Sequence, residues 1–572
     1  MSPRTRGHHP AQTPLPIEEY ALIGDTETAA PRCRELGYVR VVPDKASPEE
    51  EHVRAAEVIG ALCLATDLGM GFPFEHGLHS TLVAMRLADR LGVDRATASQ
   101  AYYACLLSHS GCTTDAHVTA EVFGDSLTTH LNPVVYGTQR QVLLGLLRAL
   151  PDPQRPPPLR AAQVVRRLPK MALKAGPQFT ALCEVAEMLA NRVGLPPTVP
   201  GLLAHLTERW DGKGPLRRAK GDEIPLPMRI VHVAVDATLQ HVLGGEERAA
   251  RLARERAGRG LDPEVAACLS DDPSGVLALD PEVSAWDEVL TCEPRPHLML
   301  EGTAIDRALV AMGSFADLLS PYLSGHSTGV AELAASAAGR CRLDADSAVA
   351  VRCAALVHDL GRVAIGARTW QKPEPLTQDE REQVRLHPYH TERVLSRSAF
   401  LSALAPIAGA HHERLDGSGY HRGCPGAELA LPARLLAAAD AYHAMTEPRP
   451  HRAAMPPDQA AQTLGNEASA GRLDPDAVAA VVEAAGQRVP RIERPAGLTE
   501  REAEVVGLLA RGLQTKQVAR ALGISVKTAD HHVQNTYRKI GVSTRAAATL
   551  FAMEHGLVAW GELPMVRSRG RS

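Results

Sequence analysis

An internal repeat restricts the fold more than any other feature of this chain. TERWDGKGPLRRAKGDEIPLPMRI at 207–230 and HERLDGSGYHRGCPGAELALPARL at 412–435 share Glu-Arg, Asp-Gly-x-Gly, an acidic-apolar pair and Leu-Pro-x-Arg. GLHSTLVAMRLADRLGVD at 77–94 likewise parallels GHSTGVAELAASAAGRCRLD at 325–344. Two such stretches in the same order imply two related domains in tandem. Within them apolar residues recur at helical spacing from about residue 50 almost to the end. Aromatic residues are only 4% of the chain, so good helix formers are left to build the cores. The expected architecture is all-α: two helical bundles and a small third unit.

Breaks in this pattern set the expected boundaries. Residues 1–50, rich in proline and charge, are read as a poorly ordered lead-in, 51–300 as the first bundle and 301–487 as the second. RVPRIERPAG places a linker at 488–496, before a last domain at 497–572; PDPQRPPPLR at 151–160 is a proline-rich loop. The ten cysteines include no CxxC pair, which points to reduced thiols. With no secretory h-region and no apolar run long enough to span a bilayer, a cytoplasmic protein without membrane contact is expected.

The second repeat concentrates ionisable residues in a definite order. His326 opens an amphipathic helix, VHDLGRVAI supplies His358 and Asp359, LHPYH supplies His387, His411 and His412 follow, and AAADAYHAMT supplies Asp440. Imidazole and carboxylate ligands suit Fe, Mn, Zn, Ni or Co and leave no place for a soft thiolate site. A His-Asp dipeptide can set one carboxylate between two ions while the adjacent imidazole binds one of them. Two ions about 3.5–4 Å apart can then polarise a phosphoryl oxygen and activate water near neutral pH.

HDLGRVAI, LHPYH, HHERLDGSGY, AAADAYHAMT and PRPHR together resemble the HD-GYP branch of the HD metal-dependent phosphohydrolases, over residues 302 to about 487. The resemblance implies a helical bundle holding two divalent ions, iron or manganese foremost, and hydrolysis of a cyclic dinucleotide such as cyclic di-GMP. It assigns His326, His358, Asp359 and Asp440 to one ion, and Asp359, His387, His411 and His412 to the other, with Asp359 bridging. Asp416, Gly417, Gly419 and Tyr420 would form a turn beside the pocket, oriented by Glu413 and Arg414. Arg449 and Arg452 match positions where the family contacts substrate phosphate. Two residues depart from the pattern: His421 replaces the proline of Gly-Tyr-Pro, and Arg362 replaces a lysine, keeping a cation that cannot deprotonate.

The first repeat is depleted. Reading HST against HST makes His79 the counterpart of His326, with Glu75 one turn before it. Matched motif by motif, His109 is set at His358, Ser110 at the bridging aspartate, Cys183 near His387, Leu206-Thr207 at the histidine pair, and Asp236 one residue from Asp440. At most one ion, held by Glu75, His79 and His109, is expected there; the copy is read as a packing partner, dimer surface or ligand sensor.

The last unit reads as four short helices. Thr499 and Glu502 form a capping box and Gly523 makes a tight turn. Val526, Val533, Tyr537 and Ile540 make the buried stripe of a third helix whose outward residues are Lys527, Thr528, His531, His532, Asn535, Arg538 and Lys539. With 11 Lys and Arg against 6 Asp and Glu, residues 497–572 carry about +5 on a chain of net charge −4. Such local charge favours the phosphate backbone. LTEREAEV and KTADHHVQNTYRKIGVSTRAA resemble the LuxR-type helix-turn-helix domain. That resemblance implies binding of double-stranded DNA by homodimers through the outward residues of the third helix. The expected function is transcriptional regulation coupled to hydrolysis of a cyclic dinucleotide or another phosphoester. The alternative is a non-catalytic regulator whose bundles sense a nucleotide or hold a dimer.

Overall fold

Helix dominates the structure, a computed structural model that describes residues 52–113, 132–150, 156–278, 283–341 and 343–558. The lead-in expected at 1–50 and residues 151–155 of the expected loop lie outside the described residues, and the rest of that loop is instead the start of a helix, with Pro157 at its first position, where proline's missing N–H costs nothing. The described chain falls into two compact units. One comprises residues 52–373 and 382–412, the other 374–381 and 413–558.

In the first unit, strand β1 (His52–Arg54) leads into helices α1 (Ala55–Met70), α2 (His76–Arg90) and α3 (Arg95–Leu106). They are followed by α4 (Pro157–Val193) and α5 (Leu226–Arg256), the latter broken at Gly244 and Gly245. Strand β2 (Met299–Glu301) then introduces α6 (Thr303–Asp317), α7 (His326–Arg340), α8 (Ala345–Val357) and α9 (His387–Leu395). β1 and β2 pair antiparallel, with Val53 opposite Leu300, the only sheet among the described residues. The start of each repeat is thereby tied to the other. α1 also packs on the 360–364 turn and on α9, so the first repeat forms part of the wall behind the second.

Local signals repeat at a fixed separation. Asp94 and Asp344 cap α3 and α8 by accepting from Thr97 N and Ser347 N. Both α2 and α7 start after a left-handed residue, Glu75 at φ 74° and Gly325 at φ 79°. Asp67 accepts from Gly77 N, and Asp317 from Ser327 N and Oγ, each ten residues downstream. All these pairs lie 250 residues apart, which corrects the register read from HST. His76, not His79, stands where His326 stands. At the end of α3, Ser108 and His109 take the places of His358 and Asp359, and Ser110 already begins a 3-10 turn as Leu360 does. The HST match was a local coincidence three residues out of phase with the helix starts.

In the second unit, α10 (Leu431–Thr446) packs beside the helices 457–469 and 475–484. The last domain contains the expected four helices: α11 (Glu500–Ala510), α12 (Thr515–Ala521), α13 (Val526–Ile540) and α14 (Arg545–Glu554). Thr499 and Glu502 make the expected capping box. Val526 is 50% exposed, contrary to the expected stripe, because it is the first residue after the Ser525 cap and precedes the inward face. Ala529, Val533 and Thr536 are the buried positions of α13. This domain is docked within its unit by Arg434 of α10, whose buried guanidinium donates to Leu429 O, Gly426 O, Asp474 Oδ2 and Gly556 O beyond α14.

Candidate functional site

The candidate centre is built where three chain turns of the first unit converge. Gly325 lets α7 begin abruptly, so His326 is its first residue; Asp317 accepts from the neighbouring Ser327 N and Oγ and fixes that end. α8 stops at Val357, and His358-Asp359 turn into the 3-10 segment 360–364. α9 begins at His387 with Pro388 in its first turn, a residue suited to that place. The two turns meet at Gly361, where a Cβ would stand 2.1 Å from His387 O. Only glycine allows this approach.

Three imidazoles are oriented alike. Nδ1 of His358 lies 2.7 Å from Ala355 O, and those of His387 and His411 lie 2.6 Å from Val384 O and Ala408 O. A carbonyl can only accept, so Nδ1 carries the proton and each neutral ring presents a lone pair at Nε2. Nε2 of His387 and Nε2 of His411 nevertheless face each other at 3.0 Å. Two acceptors at that distance call for a shared proton or cation. Burial opposes the proton, drawing the His387 pKa down to about 4 despite neighbouring Asp359. A bound cation fits.

Asp359, 1% exposed, lies among them. Its Oδ2 is 3.1 Å from His358 Nε2 and 3.4 Å from His326 Nε2; its Oδ1 is 3.4 Å from Nε2 of both His387 and His411. One carboxylate oxygen thus faces each imidazole pair, an arrangement suited to bridging two ions. Burial disfavours its charge, but Arg362 and the imidazoles of His358 and His326 outweigh it, holding the carboxyl well below the usual carboxylate range. His412 joins His387 and His411 with ligand atoms within 4.8 Å, and His358, Asp359 and His411 form a second such group. The donors are nitrogen and oxygen throughout, which suits a borderline or hard divalent ion.

Arg362 Nη1 sits 2.8 Å from Asp359 Oδ2, and its guanidinium lies over Trp370, 5.1 Å from the ring centroid. Trp370 also meets His387 edge-on. The motifs gave no sign of this tryptophan or of Asp317; for Asp317 the signal was the aspartate ten residues before Gly77 and Ser327 in the two repeats.

The remaining expected residues lie in the second unit. Asp440 is buried on α10. Glu413 accepts from Arg422 N and Cys424 N, holding the loop that contains Tyr420. Asp416 accepts from Ser418 N and Oγ, Gly417 has φ 79°, and a Cβ on Gly419 would lie 2.5 Å from Glu413 Cα. Arg449 pairs with Glu447 at 2.9 Å. Arg452 donates to Ala444 O, Met445 O and Glu447 O, so its guanidinium caps the carbonyl end of α10.

In the first repeat Glu75, His79 and His109 do not bring their ligand atoms within 4.8 Å of one another, unlike the groups of the second repeat. Glu75 Oε1 lies 2.8 Å from Arg397 Nη2, and buried His76 and half-buried His109 pack around Phe72. At Gly111 the close carbonyl is that of Leu182, so Leu182 rather than Cys183 stands at His387. Asp236 pairs with Arg256.

On α13, Lys527, Thr528, His531 and Arg538 are exposed and His532 and Asn535 half-buried. Asn535 Nδ2 meets His531 Nε2 at 3.0 Å, and Arg538 donates to Asn535 Oδ1. Lys539 is also exposed, but its ammonium is paired within the domain, 2.6 Å from Glu502 Oε2 and 3.0 Å from Gly497 O.

Residues 312–477 match the family described as HD domain, and 496–552 the bacterial regulatory proteins of the luxR family. The 3'3'-cGAMP-specific phosphodiesterase 3 of Vibrio cholerae is 28% identical over 437 residues, 75% of this chain and 94% of that protein. The cyclic di-GMP phosphodiesterase response regulator RpfG of Xanthomonas campestris is 39% identical over 140 residues, 24% of this chain and 36% of that protein. The crystal structure of the V. cholerae cyclic GMP-AMP-specific phosphodiesterase V-cGAP3 aligns with a TM-score of 0.53 and 25% identity, covering 76% of this chain and 98% of that one. No described helix is long and apolar enough to cross a membrane. The chain thus combines an HD domain with a C-terminal helix-turn-helix domain of the luxR family, and the HD part is similar to cyclic dinucleotide phosphodiesterases.

Proposed function

We propose that the second repeat hydrolyses a 3'-5' phosphodiester of a cyclic dinucleotide at a two-metal centre, and that the C-terminal domain binds double-stranded DNA, making the chain a transcriptional regulator with its own phosphodiesterase. The observation that carries the catalytic half is the facing pair of Nε2 lone pairs on His387 and His411 with Asp359 between two imidazole pairs. Two divalent ions, iron or manganese foremost, would supply Lewis-acid charge and activate water there. His326 and His358 would hold one ion and His387, His411 and His412 the other. Asp359 would serve both, and the motif around Asp440 assigns it to the first. Backbone carbonyls keep the imidazoles in the ligating tautomer. Arg362, stacked on Trp370, keeps positive charge beside Asp359 and the reacting phosphate. The domain boundaries read from the sequence, a homodimer on paired half-sites, and the substrate contacts of Arg449, Arg452 and the 416–420 turn belong to the same proposal.

The cyclic GMP-AMP relatives, one matched over 94% of its length, make 3'3'-cGAMP a substrate to test beside cyclic di-GMP. The experiment is hydrolysis of each by protein loaded separately with Mn(II) or Fe(II), with products resolved by chromatography. Linear dinucleotide or mononucleotide from either substrate, absent in Asp359→Ala, is the expected result. Metal-loaded protein that cleaves neither would overturn the reading in favour of a non-catalytic sensor.

A further inference from the structure

α9 carries a buried hydroxyl that the metal-ligand pattern does not use. Thr391 lies one helical turn beyond His387 and is completely buried. Its Oγ1 donates to His358 O at 2.8 Å and accepts from Gly361 N at 2.9 Å. These two backbone groups flank Asp359 in the turn leaving α8. Residues entering such a turn lose the intrahelical partners of the helix behind them. A single side chain thus brackets the His-Asp dipeptide from both sides. It does so from the helix whose first residue is His387.

The first repeat provides the comparison. Its counterpart of α9 is read from the glycine contacts, in which Leu182 O meets Gly111 as His387 O meets Gly361. At that same separation of 205 residues, Thr391 corresponds to Ala186, which is also fully buried. The repeat with an imidazole in place of Asp359 and a leucine in place of His387 has no hydroxyl at this place. Its helix and turn still pack together. The hydroxyl is dispensable for bringing the two elements into contact and accompanies the ligand set.

We infer that Thr391 is a positioning residue of the metal centre: its hydroxyl sets the spacing and rotation of His358-Asp359 against His387, and so the separation of the two ion sites. This rests on the two-metal reading above. Groups that orient ligands from behind typically change metal affinity by about tenfold to a hundredfold when removed.

The test uses the full-length protein and Thr391→Ser, Thr391→Val and Thr391→Ala. Ion content is measured by elemental analysis after equilibration in Mn(II) buffers of fixed free concentration, the visible spectrum of Co(II)-loaded protein is recorded, and metal-free stability is followed by thermal circular dichroism. Serine keeps the hydroxyl and loses the methyl; valine keeps the shape and loses the hydroxyl. The expected result is near wild-type affinity and Co(II) spectrum for serine, with at least tenfold weaker binding of one ion and an altered spectrum for valine and alanine. The alanine variant, bearing the residue of the first repeat, is expected to fold. The opposite order, valine like wild type and serine impaired, would show that the site needs only the methyl packing and would overturn the inference. Equal affinity and spectra in all four proteins would overturn it as well. Wild-type protein that binds no ion would instead defeat the metal reading itself, a result distinct from either.

Discussion

Replacing Asp359 by asparagine preserves volume and removes one negative charge from a site with almost no access to water. Asp359 is 1% exposed, and Arg362, 2.8 Å away, has a side chain only 8% exposed. In the metal-free protein the substitution leaves a buried guanidinium stacked on Trp370 without its counter-charge, and breaking a buried pair from one side costs about 3–5 kcal/mol. With the two proposed ions bound, it would take an anionic oxygen from each, since Oδ1 and Oδ2 face different imidazole pairs. Losing about 4 kcal/mol of transition-state stabilisation corresponds to about a thousandfold in rate. Three measurements follow Asp359→Asn: ions per chain by elemental analysis, turnover of 3'3'-cGAMP and cyclic di-GMP, and the denaturant midpoint of metal-free protein. Expected are a fall from two ions to at most one, about a thousandfold less product and an earlier midpoint. An asparagine variant with two ions and turnover within tenfold of wild type would refute the bridging role.

Other consequences follow from residues away from the centre. His232 is buried in the first repeat with Nε2 3.1 Å from His205 O, and burial draws its pKa down to about 4. The unfolded chain then binds the proton more tightly, so stability is constant above about pH 6.5 and falls between there and pH 4, by about 3 kcal/mol for this group at 1.36 kcal/mol per pKa unit; His232→Gln should flatten that part of the denaturant midpoint-versus-pH curve. Lys527→Ala should weaken DNA binding and reduce the slope of log affinity against log salt by about 1, read by fluorescence anisotropy. Lys539→Ala should instead lower the domain's stability by up to about 1 kcal/mol, through the lost contact with Glu502, with an unchanged salt slope. Arg434→Met should loosen the last domain from α10, seen as faster protease cleavage in 488–496; cleavage at the wild-type rate would show that Leu415 against Gly556 suffices.

What the sequence reveals divides according to the range of the signal. The imidazoles and the carboxylate that meet in space are spread over more than eighty residues, from His326 to His412, yet each sits in a short motif that can be read in place. The capping box at Thr499 and the left-handed glycine before His326 are equally local. The register of the first repeat was not legible, because three letters of identity outweighed the spacing of helix starts, and only Asp67 against Asp317 and Glu75 against Gly325 restore it. The partner of Arg362 was hidden for a related reason. In the sequence Arg362 is only the cation that replaces the pattern's lysine, whereas the 3-10 turn brings it back onto Asp359 and Trp370 supplies a platform eight residues later. Lys539 shows the same limit. Helical periodicity places it outward with Lys527, but its stem is long enough to reach the capping glutamate at the start of α11. Periodicity tells which way a side chain leaves its helix; for a long cation, the nearest buried anion decides where the charge ends.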